Sequence, residues 1–270
     1  MLKLLLKRMD KSPIFKNVSK SLQNALANRV VSRISTHFKQ YFNTIVANDD
    51  ETRKVSYRIR HDVYCSELKF EPEKPEQIEF DDFDKHSIHC LVQHRSSKQY
   101  AGTVRMVMSP SEQDLLPIEK FCSHALTDNY LHPKNFKREE ICEISRLAVP
   151  EQFRKRKSDQ YAGASTGVID ETSFSQNEMR CFPFIAISLY FMAATVTQQK
   201  KINHIFVMME PRLARSLKFV GIPFTQIGDV TDYHGKRAPY HIDPKVLFKT
   251  LSPGFKKLML VIGDDMRKQM

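Results

Sequence analysis

Three short segments of this 270-residue chain carry side chains able to move protons and hold anions. Glu143-Ile-Ser-Arg146-Leu-Ala-Val149 sets a carboxylate and a guanidinium within an otherwise apolar strand. Upstream, Asp81-Asp-Phe-Asp84 and the Arg105 of Gly102-Thr-Val-Arg-Met106 add further charges in or beside strand-like sequence. Burying such groups is costly unless they are paired or used. Separated as they are by loops, the three segments predict one polar site at one end of a sheet. There a carboxylate can accept a proton, directly or through one water, and an arginine can hold a carboxylate with two parallel bonds. Glu143 and Arg146 are three apart, so in a regular strand they point to opposite faces. They share a cleft only across a bulge or strand end, and the spacing predicts an irregularity between 143 and 147.

The elements that must position these groups read as a mixed α/β layout with helices on both sides of a sheet. Residues 1–50 read as an N-terminal helical extension, with Leu22, Ala25, Leu26, Val30, Ile34 and Phe38 on one apolar face. Its basic side suits either packing on the domain or lying on an anionic membrane. A helix is expected from about Glu51 to Lys69, then an extended Phe70-Glu-Pro-Glu-Lys-Pro loop. His86–Gln93 and Ala101–Met108 read as a hairpin, and Glu140–Val149 as a central strand ending at Pro150. After a polar stretch come an apolar helix at Phe182–Gln199, a strand at Ile202–Met209 and a helix at Pro211–Val220. Short strands near Phe224–Val230 and Ala238–Ile242 precede a helical tail. The expected division is thus 1–50, a main domain over 51–243, and a tail over 244–270.

Composition narrows the possibilities. A net charge of +11 implies an acidic partner: nucleic acid, anionic membrane or an acidic carrier. Eight glycines argue against a glycine-built phosphate loop. Five scattered cysteines with no C-x2-C pair support neither a zinc module nor a disulfide framework, and a reducing cytoplasm is the expected compartment. His86, His89 and His94 do not form a metal triad, because 86 and 89 differ by an odd number on a strand. No apolar run reaches the roughly 18–20 residues of a transmembrane helix, and Leu4-Leu-Leu6 is too short for a signal core.

Several phrases, taken in order, resemble one family. They are Arg60-His-Asp-Val-Tyr64-Cys65, Phe70, Asp81-x2-Asp84, His86-Ser-Ile-His-Cys-Leu91, Arg105, Leu116-Pro-Ile-Glu119, Glu143-x2-Arg146 and Tyr233-His-Gly-Lys-Arg-Ala-Pro-Tyr240. The set is similar to the acyl-homoserine-lactone synthases of the N-acetyltransferase-like (GNAT) superfamily. It is closer still to the N-acyl amino acid synthases of the exosortase/PEP-CTERM system, and it spans roughly residues 57–243. Phe70 stands where the lactone enzymes carry tryptophan, and Gln152-Phe-Arg-Lys-Arg156 replaces the glycine-rich pyrophosphate loop of acetyl-CoA enzymes.

The resemblance implies a GNAT-like mixed sheet with a V-shaped cleft, and acyl transfer from an acyl carrier protein thioester to an amino-acid acceptor. No bound cofactor or metal is implied; the phosphopantetheine thioester is a co-substrate. Glu143, Arg146 and Arg105 would be catalytic, with Glu143 taking the proton of the incoming ammonium. Arg105 or Arg146 would grip the acceptor carboxylate. Arg60, Tyr64, Phe70, Asp81, Asp84 and Ser145 would bind substrate, and Arg154, Lys155 and Arg156 would contact the carrier or its pantetheine. Phe184, Ile185, Leu189, Phe191 and Met192 lie where the acyl chain would run. Bland alternatives stand beside these roles: Glu143 as a salt-bridge partner of Arg146 or Arg105, Asp81 and Asp84 as a structural ionic network, Tyr64 and Phe70 as core aromatics, and the basic run as a solvated loop. Asp82 is expected to be solvated. Other functional readings are a lactone autoinducer synthase using S-adenosylmethionine and a non-enzymatic basic protein binding acyl chains, lipid or nucleic acid. Nucleic acid is not the expected partner, since the basic residues form no aromatic-interleaved stripe.

Overall fold

The computed structural model describes residues 31, 35, 37–154 and 184–269. Its framework is one eight-stranded sheet in the order β1-β2-β3-β4-β5-β8-β6, with β7 paired to β8. The strands are β1 (Phe42–Val46), β2 (Ser87–His94), β3 (Tyr100–Met108), β4 (Ile141–Ala148), β5 (His204–Met209), β6 (Thr225–Gln226), β7 (Thr231–Asp232) and β8 (Lys236–Ile242). Every pairing is antiparallel except that of β4 with β5. A parallel neighbour needs a crossover connection, and the chain between β4 and β5 includes helix α4 (Ile185–Gln199).

Layering follows from which faces are apolar. Helix α4 buries ten residues, including Leu189, Phe191, Met192 and Val196, and is apolar around much of its circumference. It lies between the sheet and helix α7 (Pro253–Arg267), whose Phe255, Leu258, Met259, Ile262 and Met266 form an inward stripe. Gly102 of β3 permits the close fit: a Cβ there would sit 3.0 Å from both the Ala148 carbonyl and the Leu189 side chain. The opposite face is covered by α1 (Asp50–Arg60), through Ile59 with Val63 of the following turn, and by the segment around α2 (Pro117–Phe121). Among the described residues, no helix is long and apolar enough to cross a membrane.

Most expected elements appear within a residue or two, and three differ. The helix expected to residue 50 gives way to the edge strand β1, so the sheet reaches back past that boundary. Phe38 and Phe42, stacked at 5.1 Å, are four apart and continue the helical stripe into what is strand. Phe42, Thr44 and Val46 face inward at every second residue. Gln269 ties the tail to this strand, accepting from Val46 N at 2.9 Å and donating to Thr44 O at 2.7 Å. The helix expected over 51–69 is α-helical only to Arg60, then widens into a π-helical turn over His61–Glu67. The strand expected over 224–230 shrinks to the two residues of β6. Leu22, Ala25, Leu26, Val30 and Ile34 lie outside the described residues, while Val31 and Phe38 are buried in the main core.

Candidate active site

The β3–β4 ladder is regular from Met108↔Cys142 through Arg105↔Ser145, and the next pair is Thr103↔Ala148. Two steps along β3 therefore oppose three along β4, which is a bulge. Arg146 sits in it with φ +51°, a left-handed conformation that costs a non-glycine residue on the order of 1–2 kcal/mol. The irregularity expected from the sequence is present. It turns Arg146 into the same cleft as Glu143 and Ser145.

A second break opens that cleft. β4 and β5 pair only over Ile141–Glu143 with His204–Phe206, and beyond Glu143 they part. On one face the gap is lined by Phe70, Glu71, Arg105, Glu143, Tyr233 and His234, around about 500 Å³ of space partly open to solvent. On the other face it is lined by Ile144, Leu147, Tyr190, Val207, Met209 and Leu213, around about 590 Å³. Tyr64, Ser145, Arg146, Met208 and Arg237 border both, so the two cavities adjoin across the split.

Beside the cleft lies an ionic lattice. Arg60, fully buried at the α1–π-turn junction, holds Asp84 with two bonds of 2.7 and 3.1 Å and Glu79 at 2.5 Å. Arg105 bonds Asp81 at 2.6 Å, Asp84 at 3.0 Å and the Ser145 hydroxyl at 3.1 Å. Arg146 reaches Glu79 at 3.3 Å, Glu71 at 3.2 Å and Asp81 at 3.6 Å. Asp81 and Asp84 also cap the short 3-10 turn that leads into β2. Burial opposes the Asp84 charge, but hydrogen bonds from Arg60 and the charges of Arg60 and Arg105 hold its pKa down to about 2. Asp82 points to solvent against Lys85, as expected.

Glu143 differs from these carboxylates. It is buried, and among the described residues no cation lies within ion-pair distance of it. Its Oε2 accepts one hydrogen bond, from Ile118 N at 2.7 Å. Burial pushes its pKa up to about 8; that bond and the charges of Arg105 and Arg146 offset only part of the rise. Such a carboxyl titrates near neutrality, where general acid–base groups work best.

The structure thus brings Arg60, Tyr64, Phe70, Asp81, Asp84, Arg105, Glu143, Ser145 and Arg146 into one neighbourhood. Tyr64 and Phe70 stack at 6.5 Å at the cleft wall, and the Tyr64 hydroxyl donates to Leu147 O at 2.8 Å. Two expectations need correction. Arg105 and Arg146 are already occupied by carboxylates and do not present an open fork to an acceptor. Ile185, Leu189, Phe191 and Met192 are core side chains; from this helix it is Tyr190 that reaches the cleft. Arg154 pairs closely with Glu67, and Lys155 and Arg156 lie outside the described residues.

Sequence reasoning missed Glu71 and Glu79, which complete the lattice, and Tyr233, His234 and Arg237, which close the cleft. The last three sit within a phrase singled out for its resemblance, and that was their only signal.

Residues 59–164 match the family of acetyltransferase (GNAT) domains. The fold is GNAT-like. Among solved structures, it superposes on FeeM, an N-acyl amino acid synthase from uncultured soil microbes, with TM-score 0.52 and 14% identity, covering 78% of this chain and 94% of that one. The CoA-dependent acyl-homoserine lactone synthase BjaI gives TM-score 0.54 and 14% identity, with 77% and 88% covered. The acyl-homoserine-lactone synthase LasI gives 0.51 and 13%, with 78% and 96% covered. No curated protein sequence matches the chain.

Proposed function

We propose that this chain is an N-acyltransferase that moves a fatty acyl group from a carrier-protein thioester to the amino group of an amino acid. One observation carries the reading: Glu143, buried, without a cationic partner among the described residues and raised to about 8, lines the cleft at the last β4–β5 pair, where the two strands begin to part.

The reaction uses what that junction offers. The donor's thioester enters the split from the α4 side, and the acceptor amine approaches from the Glu143 side. The acceptor's ammonium gives one proton to the Glu143 carboxylate, and the neutral nitrogen attacks the thioester carbonyl. A C–N bond forms and the C–S bond breaks. The departing thiolate takes up the second proton lost by nitrogen, and Glu143 returns the first to solvent. Ser145 borders both cavities, and its oxygen accepts from Arg105. Its own hydroxyl proton is then free to meet the tetrahedral oxyanion, the kind of fixed donor such a step needs. An acidic carrier protein suits the +11 net charge.

Mass spectrometry of lipid extracts from a bacterial host tests the reading, comparing the chain with its Glu143→Gln variant. An acylated amino acid made only by the parent supports it and names the acceptor. An acyl-homoserine lactone would replace it with the autoinducer-synthase reading. Empty extracts from folded protein, together with no turnover of acyl-carrier or acyl-CoA thioesters in vitro, would remove it.

A further inference from the structure

The cleft's arginines are not equivalent. Arg60, Arg105 and Arg146 each meet at least two carboxylates among Glu71, Glu79, Asp81 and Asp84. Arg237 meets none among the described residues. It stands at the start of β8, where Thr231 of β7 pairs with its backbone. Its guanidinium lies 5.8 Å from the centre of the Phe70 ring, which braces it from one side. Its Nε is buried and has no hydrogen-bond partner. A guanidinium donor shielded from water and left unbonded is costly, and an arriving anion removes that cost. Arg237 also borders both cavities, and it shares the first of them with Glu143.

We infer that Arg237 is the carboxylate anchor of the acceptor, the residue that makes the site select amines bearing an adjacent carboxylate; this rests on the acyl-transfer reading above. In an α-amino acid the carboxyl carbon lies only about 2.5 Å from the amine nitrogen, given standard N–Cα and Cα–C bonds. An amine presented to Glu143 therefore carries its carboxylate within the same cavity, which Arg237 also lines. The phosphate of a pantetheine arm is many bonds from the thioester and reaches the junction less readily. Arg237 is a positioning residue here: it holds the acceptor and takes no proton.

The test measures steady-state transfer from an acyl thioester to an amino acid and to the amine lacking its carboxyl group. For the parent, kcat/KM should favour the amino acid by about 10² or more. Arg237→Ala should raise KM for the amino acid at least tenfold with a smaller change in kcat, and leave the decarboxylated amine unaffected. Arg237→Lys, which keeps the charge without the fork, should recover part of the loss. Equal losses on both acceptors would overturn the inference in favour of a structural role. A rise in KM for the thioester alone would overturn it in favour of a donor-phosphate contact. If the parent turns over no donor, the acyl-transfer reading fails separately, and the anchor is still measurable by calorimetry. N-dodecanoylglycine should then bind the parent at least tenfold more tightly than its methyl ester, and equally with the ester in Arg237→Ala. Equal binding of acid and ester by the parent would also overturn it.

Discussion

Two populations of charge share this cleft, and the contrast between them separates structure from chemistry. In the lattice of Arg60, Arg105, Asp84 and Glu79, each group is held by partners of opposite sign. Across the cleft, Glu143 has a single backbone donor and no ion-pair partner among the described residues. Saturated charges are fixed and their pKa values move away from neutrality, as Asp84 shows at about 2. A charge without such a partner moves toward neutrality, as Glu143 shows at about 8. The lattice fixes the cleft wall; the deficient group remains able to exchange a proton.

The contrast is broken most directly at Glu143. Glu143→Gln should lower kcat by roughly 10²–10⁴, the range for a lost general base, while circular dichroism and elution volume stay unchanged. For the parent, the rate should rise with pH through an apparent pKa near 8, because the carboxylate is the active form. The variant should lack that limb. A pH–rate profile that keeps the limb in Glu143→Gln would assign the base elsewhere.

Next comes the lattice itself. Asp84→Ala leaves Arg60 and Arg105 short of a buried counter-charge, and breaking such a pair costs about 3–5 kcal/mol. Urea unfolding should show a loss of that size. The linkage has the usual carboxylate sign: the folded pKa is depressed, so the stabilisation is present above about pH 4 and fades as pH falls toward 2. A drop below 1 kcal/mol would mean that the lattice is not the fixed half of the comparison.

Stability against pH sharpens the same contrast from the other side. The folded pKa of Glu143 is raised, so its stabilising contribution is complete below the unfolded value of 4.5 and is lost as pH rises through 8. Within that window the folded protein holds a proton that the unfolded chain has released. The parent should therefore lose about 1.4 kcal/mol per pH unit relative to Glu143→Gln. Unfolding of both proteins at pH 6 and pH 7.5 checks the slope; parallel curves would show that Glu143 ionises as an ordinary carboxyl.

How much of this was legible in the sequence follows from what a linear pattern can encode. Apolar strands flanked by turn residues were readable, as were the charges inside them, and the odd spacing of Glu143 and Arg146 exposed the bulge. β1 was not readable, because Phe38 and Phe42 keep helical spacing across a boundary that only pairing with β2 decides. Glu79 was hidden in a loop whose carboxylates look solvated until Arg60 is seen beneath it. The number of carboxylates each arginine meets is a property of the folded neighbourhood alone. For that reason sequence reasoning gave Arg105 and Arg146 a substrate-gripping role and passed over Arg237.

The smallest effect tests the hinge between the two populations. Arg146 joins the lattice to the cleft, and its backbone is held at φ +51°. Glycine adopts that conformation without the steric cost that alanine meets, whereas both substitutions remove the same ion pairs. Arg146→Gly and Arg146→Ala should therefore lose activity alike, yet differ in stability by about 1 kcal/mol in favour of glycine. Paired urea titrations read this difference free of the side-chain term, since that term cancels between the variants. Equal stabilities would mean that the bulge relaxes once the guanidinium is gone, making the ion pairs the cause of the left-handed turn. A glycine advantage would instead place the turn in the β3–β4 register itself, with Arg146 merely occupying it.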